Sequence, residues 1–330
     1  MIDNILYDLD KMKDNMIMLE QETNIIFDPN ASYAYNKFMA ELGHNIKIAP
    51  IYKDDKLIGG IYVRIYKTGS HIRYIIQGGL IFLNGFEEVV STFVEKNFCC
   101  INVRIQYSLN QKLDFKRLHR IKHSPKTVLI PIKETEEAQS KLLVRRRKRD
   151  IVKAEKNGLI VRKLVSIDEY MSMFKVLNEL ATFRSYEQDI SMDLLKAYYE
   201  KLVPEHIVLA LGCFQGENMI AADMILFSKN KAREQIIAER PSKMDTGAQS
   251  FLIWHTIEYC RQNNVKFLDL AGVPPEYSYM AGIGKFKKSF GGDVLNIQIY
   301  EENFVERLKQ NIKLSPFALK IQRFYNKHKL

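Results

Sequence analysis

Residues 46–270 contain one ordered pattern written twice, 162 positions apart. In the first copy, strand-like runs at 46–52, 57–66 and 71–77 are separated by turn signals at 53–56 and 67–70. An amphipathic stretch at 86–96 and an apolar strand at 98–105 complete it. In the second copy, strands at 206–214, 219–227 and 232–239 precede a helix that starts after Gly247. Ile253, Trp254, Ile257 and Cys260 share one face of that helix, and a strand at 265–270 follows. The turn Lys53–Asp54–Asp55–Lys56 falls on Gln215–Gly216–Glu217–Asn218. Tyr74–Ile75–Ile76 falls on Ile236–Ile237–Ala238, which predicts that the third strand keeps its register. Few identities survive, so what repeats is element order and length. At 330 residues the chain is also too long for one typical core. The expected fold class is α/β: two similar units in tandem, each a largely antiparallel mixed sheet flanked by helices.

Between the copies, residues 134–162 read ETEEAQSKLLVRRRKRDIVKAEKNGLIVR. Pro131 closes a strand-like run at 127–130. Residues 136–156 have helical composition, and Asn157–Gly158 is a C-terminal stop. Further helices are expected at 33–42, 168–180, 192–202 and 304–314, and Ser315–Pro316 precedes a basic tail helix at 317–329. The division these signals suggest is a first domain at 1–138, which the tail 316–330 is a candidate to complete, and a second at 139–315.

The formal net charge of +10 favours an anionic partner: a phosphorylated small molecule, RNA or an anionic membrane surface. No apolar run approaches the roughly 20 residues that span a bilayer. The first residues lack the apolar core of a signal peptide. Cys99, Cys100, Cys213 and Cys260 show neither metal spacing nor a disulfide framework. A cytoplasmic protein is the expectation, either free or at the inner face of the membrane. His119 and His123 are four apart, but no carboxylate lies between them, so no metal site is expected. The chain has no GxSxG elbow, no Walker loop and no GxGxxG after a strand, which argues against a covalent nucleophile.

The stretch 266–293, KFLDLAGVPPEYSYMAGIGKFKKSFGGD, is the richest in candidate chemistry. Asp269 lies inside an apolar strand, where a carboxylate is costly unless it is paired. It is read either as a structural hydrogen-bond partner or as a residue that orients a site. A Gly/Pro loop after such a strand is where open α/β sheets place ligands. The cluster Lys285–Phe286–Lys287–Lys288–Ser289–Phe290 is then either a site for developing negative charge or a solvated basic face before a glycine turn. Tyr277 and Tyr279 follow the Pro-Pro loop and either line a pocket or pack. Arg184 is placed in a loop between two helices, beside Phe183 and Tyr186, as a candidate clamp for phosphate or carboxylate. The run 145–149, RRRKR, covers a whole helix circumference, so it cannot meet one flat surface as a unit. Its readings are a solvated linker, or phosphate and RNA contacts through Arg145, Arg146 and Arg149.

Three stretches in this order carry a family resemblance. RRRKRDIVKAEKNGLIV resembles the basic helix, glycine and strand of the Fem-type peptidyltransferases and of their acyltransferase relatives with the GNAT-like fold. SFLIWHTIEYCRQNNVKFLDLAG and GIGKFKKSFGG are similar to the signatures that follow it in that family. The resemblance covers residues 139–293 and implies two GNAT-like domains. It further implies transfer of an acyl or aminoacyl group to an amine acceptor, a peptidoglycan or other cell-envelope precursor that is nucleotide- or lipid-linked. The implied donor is aminoacyl-tRNA or, in the GNAT-like relatives, acyl-CoA, with no permanently bound cofactor. Phe286 and Lys287 match the family's Phe-Lys pair, whose lysine is held to stabilise the carbonyl oxygen, and Arg184 falls where a substrate-binding arginine is expected. Two departures stand out. No long coiled-coil insertion is present, so no tRNA-binding arm is implied. Where acetyl-CoA-dependent enzymes carry R/Q-x-x-G-x-G/A, residues 243–249 read KMDTGAQ. The leading reading is therefore a Fem-type aminoacyl- or acyltransferase working by direct attack, with Lys287 at the oxyanion and Asp269 orienting the site. An acyl-CoA-dependent N-acyltransferase and a non-catalytic RNA- or membrane-binding protein are the alternatives.

Overall fold

The two tight turns that anchor the repeat fold as matching hairpins. In a computed structural model, the structure describes residues 2–78, 80–99, 101–107, 113–122, 124–185, 187–242, 245–275, 281–313, 315–319 and 321. Packing divides the chain into two units. One is Met1–Thr127 with Gly272–Lys285 and Val294–Leu330, and the other is Val128–Ala271 with Phe286–Asp293.

In chain order, β1 (Tyr7–Asp8), α1 (Lys13–Glu22) and α2 (Tyr33–Glu41) precede the meander β2 (Ile46–Lys53), β3 (Lys56–Thr68) and β4 (His71–Gln77). The short β5 (Ile81–Phe82), α3 (Glu87–Phe98) and β6 (Val103–Tyr107) follow. Next come β7 (Lys126–Pro131), α4 (Glu136–Leu142), α5 (Arg145–Lys156), β8 (Leu159–Lys163), α6 (Ile167–Arg184) and α7 (Met192–Leu202). The second meander is β9 (Val208–Gln215), β10 (Asn218–Phe227) and β11 (Lys231–Glu239), followed by α8 (Ala248–Gln262) and β12 (Phe267–Val273). The chain continues through α9 (Ala281–Lys288), β13 (Asp293–Asn296), β14 (Gln298–Glu301) and α10 (Phe304–Lys313).

Among the described residues each sheet has seven strands. The first runs β1-β2-β3-β4-β6-β14, with β5 paired to β3, and the second runs β13-β7-β12-β11-β10-β9-β8. In both, the meander is antiparallel and the strand after the helix pairs parallel with the third strand. This is the mixed, helix-flanked α/β architecture that the repeat implied. In the first unit, Met16 and Leu19 of α1 pack with Ile46 and Ile48, while Val90, Val94 and Phe98 of α3 pack with Ile61, Val63 and Ile76.

The first hairpin is repeated down to its irregularity. Ile46 faces Arg64 and Val208 faces Leu226, and each position of the second pair lies 162 beyond the first. The register shift that steps from Leu57 to Gly59 recurs as the step from Met219 to Ala221. The third strand departs from the expected register. Arg64 faces Ile75, but Leu226 faces Arg233, four short of the 237 that the shift requires. The hairpin of β3 runs on to Thr68 before it turns, whereas β10 ends at Phe227 and carries a further register shift between Met224 and Ile225. The shorter arm slips the strand.

Two other expectations give way. The strand expected from 98 begins at Val103: Phe98 closes α3 in helical phase with Val90 and Val94, and all three are fully buried. Burying such a ring is worth about 1.5–3 kcal/mol, more than a strand's local preference. The helix expected over 136–156 is two helices. Val144 between them is extended and gives its N–H to the Ser289 carbonyl at 3.1 Å. At that break the left-handed Gly291 (φ 86°) lies so close that a Cβ would sit 2.5 Å from Leu142 Cβ and carbonyl oxygen. Gly291→Ala combines that clash with an unfavourable φ. It is expected to lower unfolding stability by about 1–3 kcal/mol, read as a lower urea midpoint at unchanged slope.

Candidate active site

Strand alternation sends one face of each strand of the second sheet inward, and three carboxylates lie on buried positions. Asp223 of β10 stands within the apolar run IAADMILF and is 1% exposed. Glu234 of β11 is in phase with buried Ala232, Ile236 and Ala238. Asp269 of β12 is also buried. Two buried lysines answer them. Lys231 Nζ lies 2.7 Å from Asp269 Oδ2, and Lys287 Nζ, carried in by α9, lies 2.9 Å from Glu234 Oε2. Lys287 also donates to the Leu270 carbonyl. Asp269 Oδ1 accepts the Ala271 N–H at 2.8 Å, and Ala271 holds the left-handed conformation (φ 55°) within β12, next to Leu270. The Lys231–Asp269 and Lys287–Glu234 pairs thus tie β11, β12 and the end of α9 together.

The charges are set by burial. Loss of water, with Glu234 nearby, pushes the Asp223 carboxyl well above its ordinary range, so it holds a proton. The surroundings agree. Thr256 Oγ1 lies 2.9 Å from Asp223 Oδ2 and 3.1 Å from the Leu252 carbonyl oxygen. One hydroxyl proton cannot serve both acceptors, whereas a neutral Asp223 that donates to Thr256 satisfies the chain. Burial likewise raises the Glu234 carboxyl, against the pull of Lys287. An ammonium has three donors. Among the described residues two of those on Lys287 are engaged, which leaves one for a group arriving from outside.

Phe286, beside Lys287 on α9, is held from α5. The Arg147 guanidinium lies 4.7 Å from the Phe286 ring centroid and 5.9 Å from that of Phe290. Arg147 also bonds Ser250 Oγ at 2.7 Å and Asp150 Oδ2 at 3.0 Å. A desolvated cation over two rings, with fork contacts at its other edge, is a strong anchor. Arg147, Ile151 and Ala154 form the buried face of α5. Its outer face is basic: Arg145, Lys148, Arg149, Lys153 and Lys156, with Val152, line an open concavity of about 510 Å³. The run RRRKR therefore does present one charged face, because the inward arginine is sorted away from the others.

Of the residues singled out from the sequence, Lys287 and Asp269 enter one buried cluster and Phe286 supports it. Of the basic-aromatic cluster, Lys285–Lys288 end helix α9 and Ser289–Phe290 form the turn after it, with Lys285 exposed and Lys287 buried. Arg184 is not in a loop: it is the exposed last residue of α6, and its charge lowers the otherwise raised Glu239 carboxyl. Arg145 and Arg149 line the concavity, and Arg146 is exposed apart from it. Tyr186, Tyr277 and Tyr279 lie outside the described residues. Sequence reasoning missed Asp223, Glu234, Lys231 and Arg147. Asp223 carried the same signal as Asp269, a carboxylate inside an apolar run. Glu234 carried a subtler one, an acid in the apolar phase of an alternating strand.

The raised Asp223 carboxyl gives a signed pH effect. The folded form holds the proton more tightly than an unfolded carboxyl of ordinary value 3.8. This stabilisation is present below that value and is lost as pH rises through the folded value. Asp223→Asn keeps the shape and a donor toward Thr256 but does not titrate. Thermal melts from about pH 5 to pH 9 should show the variant losing less stability than the parent, by a few degrees at the alkaline end, with the curves converging in acid.

Residues 214–298 match the FemAB family model, a span that contains Asp223, Lys231, Glu234, Asp269 and Lys287. No curated protein matches the sequence. Among solved structures, FemX shares the fold at 10% identity with a TM-score of 0.74, covering 91% of this chain and 98% of that one. The C-terminal domain of a putative lysylphosphatidylglycerol synthetase from Agrobacterium fabrum is similar at 11% identity and TM-score 0.57, covering 95% and 99%. L-PGS from Bacillus licheniformis is similar at 11% identity and TM-score 0.56, covering 93% and 96%. The family match thus falls on the strands that carry the buried cluster, and the likeness to FemX shows a shared fold over nearly the whole chain.

Proposed function

We propose that the chain is an aminoacyltransferase that moves an aminoacyl group from a tRNA ester to an amine of a cell-envelope precursor, with Lys287 stabilising the oxyanion. The observation that carries this reading is the state of Lys287: buried against β12, fixed by Glu234 and the Leu270 carbonyl, with one donor unengaged among the described residues. A preorganised cation in a water-poor site stabilises developing negative charge far better than one in solvent. The acceptor nitrogen attacks the ester carbonyl and forms the new C–N bond. The carbonyl oxygen takes up negative charge beside Lys287. On collapse the C–O bond breaks, and the proton released by the amine goes to the departing ribose oxygen. No covalent enzyme intermediate is needed. Asp269, locked by Lys231 and its own turn, positions the Leu270 carbonyl rather than touching substrate.

Two features favour a tRNA donor over acyl-CoA. A helix N-terminus offers free N–H groups to a pyrophosphate, but at α8 the Gly247 and Ala248 N–H groups go to the Asp245 and Thr246 side chains. Gly247 is also pressed against the Asp150 carbonyl of α5, which would lie 2.3 Å from a Cβ there. The second feature is the basic outer face of α5, whose inner face holds α9 through Arg147. A polyanion lying on α5 is about one helix diameter, 10–12 Å, from α9. The FemX and lysylphosphatidylglycerol synthetase likenesses support an acceptor or product of the cell envelope.

With charged tRNA and the acceptor amine in hand, Lys287→Ala should lower kcat by about 10²–10³. The variant should still fold, because Glu234, already raised by burial, takes up a proton when its partner leaves. Unchanged kcat would sink the oxyanion role, and turnover with labelled acyl-CoA but not charged tRNA would replace the donor. Reversing Arg149 and Lys153 to Glu should weaken tRNA binding. The slope of log affinity against log salt should become shallower by about 2.

A further inference from the structure

Helix α10 belongs to the first unit and is amphipathic the wrong way round. Its half-buried positions are Glu306, Arg307, Gln310 and Asn311. Hydrogen bonds fix that polar face: Lys122 N donates to Asn311 Oδ1 at 2.8 Å, and Arg307 donates to the Glu301 carbonyl at 3.1 Å. Arg73 adds a 4.0 Å ion pair to Glu306. The opposite face holds Phe304, Val305, Leu308 and Ile312, which are 66%, 56%, 49% and 58% exposed. At 100° per residue these four fall within one 100° arc, an apolar stripe along about 12 Å of helix. Lys309 and Lys313, both exposed, border the stripe on one side, with Lys309 reaching back to Glu306 at 2.8 Å. Beyond the helix, Phe317 and Ile321 are also exposed, at 75% and 51%.

Charge identifies what covers it. Residues 304–330 hold seven Lys and Arg (Arg307, Lys309, Lys313, Lys320, Arg323, Lys327, Lys329) against the single acid Glu306. That is +6 of the chain's net +10 in its last 27 residues. An apolar stripe bordered by cations is the pattern of a helix that lies in a membrane interface, its apolar side in the acyl boundary and its lysines among anionic headgroups. A polyanion such as RNA would satisfy the cations and leave the stripe in water. A second copy would bury only a few hundred Å² of stripe, short of the roughly 1,200 Å² of a stable interface. The geometry points to α10 as the surface by which this protein docks on an anionic lipid bilayer. This goes beyond the transfer reaction and does not rest on it, since the first unit and not the Lys287 cluster carries it.

Vesicle flotation of the full chain tests the assignment. The parent should float with vesicles of about one part phosphatidylglycerol to three parts phosphatidylcholine, and release as salt shortens the Debye length. Leu308→Asp with Ile312→Asp should lower the bound fraction at least tenfold while melting temperature and far-UV spectrum stay at parent values, because both side chains are exposed. Lys309→Glu with Lys313→Glu should lose the preference for phosphatidylglycerol. Equal flotation of the aspartate variant and the parent would overturn the proposal. So would binding to pure phosphatidylcholine as strong as to the anionic mixture. A parent that does not float, but forms a dimer in sedimentation that the aspartate variant lacks, would assign the stripe to a second copy instead.

Discussion

A lysine ammonium drawn into the interior of a sheet must be neutralised there, or its desolvation costs several kcal/mol. Glu234 meets that demand for Lys287, and much of the second unit is arranged so that it can. Lys287 arrives on α9, and α9 is held by the rings of Phe286 and Phe290 under Arg147. Arg147 in turn reaches inward only because the chain breaks at Val144, where the Ser289 carbonyl takes the N–H that a continuous helix would have used. The break is possible because Gly291 lets the backbone after α9 approach Leu142. One buried ion pair therefore depends on a cation–ring stack, a helix break and a glycine, each supplied by a different part of the chain.

The duplication shows what the charges replace. At the position of Asp223 the first unit has Ile61, fully buried. Arg64 faces Ile75 where Leu226 faces Arg233, so the residue in the place of Glu234 is Ile76, also fully buried. The same hairpin geometry thus holds an apolar core in one unit and a carboxylate pair in the other. The first unit keeps buried charge further along the same strands. Arg73, in the place of Lys231, pairs with Glu301 of β14 at 2.8 Å, and Glu301 faces Arg104, which stands where Asp269 does. That pairing ties a strand from beyond residue 290 to β4 and β6. In one unit buried charge fastens the sheet, and in the other it also presents a lysine.

The hairpins were legible because turn residues and alternation are local, and the shift of 162 carried them across both units. The register of the third strand was not legible, since it follows from where β10 stops and from a register shift with no residue signature. Asp269 stood out as a carboxylate in an apolar run. Asp223 carried the same mark and needed only the same rule. Glu234 sits among charged and polar neighbours in KAREQ, and its burial is visible only once the phase of Ala232, Ile236 and Ala238 is fixed. Its link to Lys287 spans 53 positions and two intervening elements, α8 and β12. Such a pair has no local sequence signature.

Helix faces pose the same problem in opposite senses. In α5 a run of five cations reads as a solvated surface, yet the middle one is the anchor. In α10 an apolar stripe reads as the side that packs, yet it is the side in water. Composition fixes which residues share a face, but which face turns inward depends on what waits there. Arg147 finds two rings, a hydroxyl and a carboxylate, so its desolvation is offset. Beneath α10 the first unit offers a backbone N–H at Lys122, a carbonyl at Glu301 and the Arg73 guanidinium, all polar. Turning the stripe inward would take a partner from the Lys122 N–H, from the Glu301 carbonyl and from Arg73, which keeps its pair with the Glu301 carboxylate, at about 1–3 kcal/mol for a group left unsatisfied. The polar floor therefore decides the orientation, and the exposed stripe is its consequence.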